Sequence, residues 1–489
     1  MVTKEGRSSA ESNEVTEESK ISDTGNGKAL LTRQNASPGY WLCVLLPIAF
    51  ISNFVHGKRC SELDSTQPIL AIAAIGMSIE NFCLFGFIFR KTDLPRKILI
   101  AFVPGLFTTL LYKILLQQFW KYSLLLGFAT TFCYQNTYIR ILRGLPGCFS
   151  YGEAAVLIQG LILFLLNVIL KIPDILSQNK NRSDFAELNV IMMVALTHLL
   201  GVCWLLAVAK IFRKPSFFYT LMFLLLIAVT CVPVTNPIPI IVMVNFILKD
   251  KVRLKIICLY MILVVLTVLT VWWQSGIEEK ASTRVRKIFH IFIALVYVPG
   301  IIYQCSFLYI ATGVAFSIFT VIELIRICNI PPLALATRKA FATFSDEKDS
   351  GLLALTPFCL LIGCSIPIWI SPCPCGDTIY TKDIPRILPL LSGILTIGFG
   401  DTAASVIGSK FGRIKWRGSK KSLEGTLSYI AVIMLAIMSL NYLGFVIMTP
   451  LKWCIAVMAV LTTSLVEAHT DQIDNLTLPI IFYTIMNIS

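Results

Sequence analysis

From Tyr40 to the C-terminus, apolar stretches long enough to cross a bilayer follow one another with only short polar breaks. About 30 Å of hydrocarbon takes roughly 17–25 helical residues to cross. A backbone in that medium must satisfy its own hydrogen bonds, which leaves helices and closed barrels. The runs are continuously apolar and lack the period-two alternation of barrel strands. The chain is therefore expected to be all-α, a polytopic transmembrane helical bundle with about 14–16 spans.

Composition supports this. Of 489 residues, 56% are hydrophobic and 14% charged, and the mean hydropathy of +0.76 exceeds what a soluble core needs to cover itself. A net charge of +14 would suggest nucleic acid in a soluble protein. Here the cations fall in loops between spans, where topology and anionic lipid account for them, and no nucleic-acid partner is expected. Residues 1–39 are polar and Ser/Glu-rich and are expected to form a disordered cytosolic tail. The remainder divides into an N-terminal transmembrane region, 40–273, and a C-terminal region, 274–489, whose loops are far richer in polar clusters. Fifteen cysteines lie mainly in apolar segments as small hydrophobes. The close pair Cys373 and Cys375 lacks the second pair that a zinc site needs.

Four clusters distinguish the C-terminal region: "EEKASTRVRKIFH" (278–290), "ATRKAFATFSDEKDSG" (336–351), "GFGDTAASVIGSKFGRIKWRGSKKSLEGT" (398–426) and "VEAHTDQIDN" (466–475). Residues 288–330 can form a helical hairpin, and spans at 352–370, 387–408, 427–448 and 451–467 then alternate in direction. All four clusters emerge on one face. That face carries most of the loop cations and is cytosolic by the positive-inside rule.

The third cluster places Asp401 about two turns inside a span, where a carboxylate costs about 3 kcal/mol. Lys410, Arg413, Lys415, Arg417, Lys420 and Lys421 then follow within a dozen positions, punctuated by Gly408, Gly412, Gly418 and Gly425. Such a loop can fold amides and ammonium groups around phosphates, or can simply anchor the chain to anionic lipid. It is not a P-loop: five residues instead of four separate Gly412 from Gly418, and Ser419 intervenes before Lys420. In the fourth cluster Glu467, Asp471 and Asp474 are spaced i, i+4, i+7, on one face if helical. That grouping suits Mg²⁺ held against a triphosphate. Asp346, Glu347 and Asp349 offer a second acidic group. His290, after Lys287 in "RKIFH", is a candidate interfacial proton acceptor. Each acidic cluster alone also fits a solvated loop; together with the cations and glycines they describe a nucleotide–metal site better than an anchor.

"GFGDTAASVIGSKFGRIKWRGSKKSLEGT" followed by "VEAHTDQIDNLTLP", with "RKIFH", "FSDEKDSG" and "GCSIPIWI" in the same order, resembles the polyprenol kinase family over roughly 284–480, its dolichol kinase branch in particular. The resemblance implies transfer of the γ-phosphoryl group of CTP to dolichol, giving dolichyl phosphate and CDP, with a divalent cation, Mg²⁺, at a multi-pass endoplasmic reticulum protein whose site faces the cytosol. Dolichyl phosphate would supply the lipid carrier for protein glycosylation. On this reading CTP is bound by the loop of Gly408, Lys410, Gly412, Arg413, Gly418, Lys420, Lys421, Glu424, Gly425 and Thr426, Glu424 fixing Lys420 or Lys421 by pairing. Asp401, Glu467, Asp471 and Asp474 would be catalytic, and Asp401, Asp471 and Asp474 the metal ligands. A diacylglycerol or phytol kinase using CTP, a phosphatidate cytidylyltransferase and a membrane transporter are the competing readings.

Overall fold

A computed structural model describes residues 30–34, 36–57, 66–89, 97–176, 184–231, 238–277, 280–346, 348, 349, 351–371 and 387–488. The expectations for residues 1–29, for Glu347 and for the Cys373–Cys375 pair lie outside the described residues. Among the described residues the fold is helical, with one isolated β-bridge between Lys415 and Ser422.

Among the described residues, eight helices are long and apolar enough to cross a membrane: Thr66–Gly86, Tyr151–Pro173, Asp184–Val208, Lys251–Gly276, Thr283–Tyr303, Cys305–Cys328, Leu423–Tyr442 and Pro450–His469. Five shorter apolar helices accompany them, at Tyr40–Asn53, Ile100–Leu116, Pro215–Cys231, Pro239–Leu248 and Leu355–Ile370. The chain is a multi-pass membrane protein. Val265, Val268, Trp272 and Trp273 on the Lys251–Gly276 helix are exposed, as expected where the surrounding solvent is lipid.

The expected span 387–408 is not one regular helix. A short helix, Ile387–Leu390, leads into a π-helical stretch, Ile394–Asp401, and then an α-helix, Thr402–Phe411. A π-helical stretch inside a helix costs regular hydrogen bonding and recurs at functional sites; here it ends on Asp401. Gly400 lies in it where a Cβ would come within 2.6 Å of the Tyr429 ring, itself fully buried. Gly400→Ala is expected to destabilise the fold by about 1–3 kcal/mol, measured as a lower midpoint of thermal unfolding in detergent.

The last apolar run of the sequence, 477–488, lies at the centre of the fold. The helix Asp474–Met486 is buried on nearly every side, the pattern of an interior helix. It packs against Leu45–Gly57, Leu355–Ile370 and Pro450–His469. Its far end is bound by polar groups: Tyr483 Oη donates to Asn53 Oδ1 at 2.6 Å, and Asn487 Nδ2 donates to the same oxygen at 2.8 Å and to Ser52 Oγ at 3.1 Å. The two regions divided at residue 273 share a core, in which Leu42, Leu70 and Ile158 pack with Leu355, Ile473 and Ile480. The described end of the expected disordered tail, 30–34 and 36–39, is also packed: Arg33 N donates to Phe149 O and Gly152 N to Pro38 O, both at 2.9 Å.

Candidate active site

The four polar clusters meet at one end of the bundle as lysine–carboxylate pairs. The Thr283–Tyr303 helix, capped by Ser282 Oγ on Val285 N, brings Lys287 to Asp401, where its ammonium group donates to Oδ2. Both side chains are largely buried. Ser405 Oγ donates to Asp401 Oδ1 at 3.3 Å. One turn beyond Lys287, His290 Nε2 lies 3.7 Å from Asp401 Oδ2, and among the described residues neither ring nitrogen meets a partner in good hydrogen-bond geometry.

Lys421 is the hub of the second pair. Its Nζ donates to Glu467 O at 2.7 Å and to Glu467 Oε1 at 2.5 Å, and lies 3.8 Å from Asp474 Oδ2. Lys348 Nζ reaches the other oxygen of Asp474 at 3.3 Å and donates to Gln472 O at 2.9 Å. Burial opposes the charged form of Lys421, but the carboxylates of Asp474, Glu467 and Asp401 outweigh it and hold its pKa above the ordinary lysine value. Alternating charges in a partly desolvated pocket form preorganised groups of the kind that phosphoryl transfer exploits.

The loop that follows Asp401 is a tight hairpin. Leu423 N donates to Ile414 O at 2.8 Å and Trp416 N to Lys421 O at 3.0 Å, with Gly418 at φ +76 in the turn, a left-handed conformation that glycine adopts without Cβ strain. Ser422 Oγ caps the next helix by accepting from Gly425 N at 3.2 Å. Trp416 Nε1 donates to Thr426 Oγ1 at 2.9 Å, and its ring lies 5.0 Å from that of His469. Gly408, Gly412 and Gly425 serve close packing: a Cβ on Gly425 would meet Ala404 O at 3.0 Å, and one on Gly412 would meet Gly408 O at 2.3 Å. Lys410, Arg413, Lys415, Arg417 and Lys420 are exposed, Lys410 lying over the Phe411 ring. Lys421, by contrast, turns to the buried carboxylates.

Two expectations are corrected. Of the two pairings expected for Glu424, with Lys420 or Lys421, the one with Lys421 is not formed. The Glu424 carboxylate accepts from Arg413 N at 2.9 Å and Ile414 N at 3.1 Å, closing the base of the hairpin, while Lys421 belongs to Glu467. Asp471 does not join Asp401 and Asp474. The helix stops at His469 and restarts at Asp474, so the i, i+4, i+7 face is broken. Ser37 N and Oγ donate to Asp471 at 2.6 and 2.8 Å. Burial raises the Asp471 pKa, but these bonds prevail and hold it below the ordinary value. Among the described residues no three His, Cys, Asp or Glu side chains form a group able to hold a metal ion. Among the described residues, Asp471 is thus held apart from a three-carboxylate grouping with Asp401 and Asp474. Mg²⁺ more often binds one or two carboxylates together with substrate phosphates, which Asp401 and Asp474 can provide.

In "FSDEKDSG" the acids also serve the fold. Asp346 pairs with Arg286 at 2.7 Å, and Asp349 Oδ1 accepts from Thr356 N at 2.9 Å in the first turn of the next helix. The lysine between them, Lys348, faces the site.

The dolichol kinase family model matches residues 125–413, more than half of the chain. The chain belongs to the dolichol kinase family. It is 32% identical to human dolichol kinase over 363 residues, covering 71% of this chain and 66% of the human protein. It is 30% identical to the Arabidopsis thaliana dolichol kinase EVAN over 284 residues (56% and 48%), and 32% identical to Saccharomyces cerevisiae dolichol kinase over 196 residues (39% and 34%). The aligned part thus spans slightly less than two thirds of the human relative. No solved structure matches the chain. The dolichol kinase match contains Lys287, His290, Lys348 and Asp401; the fold adds Lys421, Glu467 and Asp474 from the segment after it. Sequence reasoning took Lys287 and Lys348 only as markers of topology, although both lie in the short motifs "RKIFH" and "FSDEKDSG".

Proposed function

We propose that this protein is a CTP-dependent dolichol kinase of the endoplasmic reticulum membrane with its site on the cytosolic face. The observation that carries this reading is the convergence of Lys287–Asp401, Lys421–Glu467 and Lys348–Asp474 at one end of a membrane bundle in a member of the dolichol kinase family. The dolichol hydroxyl oxygen attacks the γ-phosphorus of CTP, its proton leaving to water, and the bond from that phosphorus to the β–γ bridging oxygen breaks, giving dolichyl phosphate and CDP. Little covalent chemistry is asked of the protein beyond alignment and charge neutralisation. Lys421 and Lys348 supply point charges for the triphosphate. Asp401 and Asp474 are the residues that would hold a nucleotide-borne divalent cation, which when bound neutralises charge on the phosphate oxygens. Glu467 keeps Lys421 in place.

The lipid alcohol lies at the bilayer surface and the nucleotide in water, so a site at the end of several membrane helices suits both. The loop cations at that end favour the cytosol. Cys305, which follows the opposite end of the Thr283–Tyr303 helix from Lys287, is disulfide-bonded, in keeping with an oxidising compartment on the other side. Membranes containing the protein, given dolichol and γ-labelled CTP or γ-labelled ATP, are expected to label dolichyl phosphate from CTP alone. Label from ATP in equal measure would overturn the donor assignment, and no labelled dolichyl phosphate from either would overturn the activity.

A further inference from the structure

We infer that the buried Arg33–Glu153 ion pair is a positioning device for the active site: it sets the loop 470–474, and through the loop Asp474. The inference rests on the kinase reading for the role of Asp474, but its geometry stands independently. Glu153, in the first turn of the Tyr151–Leu176 helix, is fully buried, and Arg33 is 5% exposed. Arg33 Nη2 donates to Glu153 Oε1 at 2.5 Å and Arg33 Nε to Oε2 at 3.3 Å, with Ser150 N on Oε2 at 2.9 Å. Removing both ions from water carries a large desolvation cost, so the pair is a poor source of stability compared with apolar packing.

What the pair holds is the loop. Ile473 N donates to Glu153 Oε1 at 2.8 Å, and Arg33 Nη2 donates to Asp471 O at 3.1 Å. Around this centre Ser150 Oγ donates to Gln472 Oε1 at 2.5 Å, and Gln472 Nε2 donates to Ser37 O at 2.8 Å. The Ser37–Asp471 bonds complete the set. Every one of these partners comes from residues 33–153, far in sequence from the cluster. On the other side of the loop, Lys348 grips Gln472 O and Asp474. Asp474 thus stands between a clamp from the N-terminal region and the lysines of the site. A misplacement of about 1 Å in such a group can cost about a hundredfold in rate.

The full-length protein in detergent tests this by hydrogen exchange and by kinetics. In Glu153→Gln, amides of 470–477 are expected to exchange about tenfold faster or more, while those of 415–426 keep their wild-type rates. Arg33→Lys, which keeps a cation beside Glu153 but loses the forked contact that also reaches Asp471 O, is expected to shift the same amides by about threefold. It keeps the proposal testable if Glu153→Gln does not accumulate. Glu153→Gln is further expected to lower transfer from CTP about tenfold or more in the wild-type background. In an Asp474→Asn background it should cause no additional loss, because both changes act through one carboxylate. Unchanged exchange in the loop, or independent multiplication of the two activity losses, would overturn the inference. If wild-type protein transfers no phosphate from CTP to dolichol, the kinase reading falls, and the exchange rates still decide the clamp.

Discussion

Replacing Asp401 with asparagine is expected to reduce CTP-dependent phosphorylation of dolichol by about a hundredfold or more, with the protein still present in the membrane. Asparagine keeps the shape of the side chain and removes its charge. Two effects must then be separated. Lys287, largely buried against Asp401, would lose its counter-ion, and an uncompensated buried charge costs about 3–5 kcal/mol. Adding Lys287→Met should recover much of that stability without recovering activity, since the carboxylate proposed to serve the phosphates is still missing. Label transfer per mole of membrane protein, measured beside the unfolding midpoint, distinguishes the two. Full activity in Asp401→Asn would remove this residue from the site.

Lys421→Ala is expected to lower kcat/KM for CTP by about two to three decades. Lys421 touches Glu467 and approaches Asp474, so its loss removes the charge proposed to meet the triphosphate and releases Glu467. The pH response follows from its raised pKa. A lysine held above its ordinary value contributes its pairing energy fully below the unfolded value, about 10.4, and loses it as pH rises through the higher folded value. Titration of Lys421 should therefore leave the neutral range flat and appear only as an alkaline loss of stability. Lys421→Arg should restore the charge but not the full rate, because a planar fork does not replace a compact ammonium group between two carboxylates. Steady-state kinetics with CTP as the varied substrate checks both variants; wild-type kcat and KM in Lys421→Ala would refute the assignment.

The sequence made the meeting of the four clusters legible because crossing parity requires only the length and order of apolar runs. It also singled out Asp401, Lys421, Glu467 and Asp474, charged residues at a membrane end that the fold brings into paired contacts. It could not show that a non-helical break separates His469 from Asp474, so Asp471 was assigned to a helical face that does not exist. Nor could it tell which of many cations turn inward: Lys287 and Lys348 share their loops with neighbours of identical charge, and only tertiary packing selects between them. The π-helical stretch at Ile394–Asp401 has no hydropathy signature. The packing of Arg33 escaped for a related reason, since a polar, Ser/Glu-rich composition says nothing about a single arginine whose partner lies 120 residues away.

The buried position of the Asp474–Met486 helix bears on how the protein is made. This helix follows all the other described helices in the chain, yet it fills the space between elements from both halves. While the ribosome is still producing the preceding segments, Asn53 has neither Tyr483 nor Asn487 to bond, and Glu153 has no Ile473 amide. The earlier helices must wait in the bilayer with polar groups turned toward an unfilled centre. Closure of the bundle around the Asp474–Met486 helix and the placement of Asp474 therefore depend on one and the same segment.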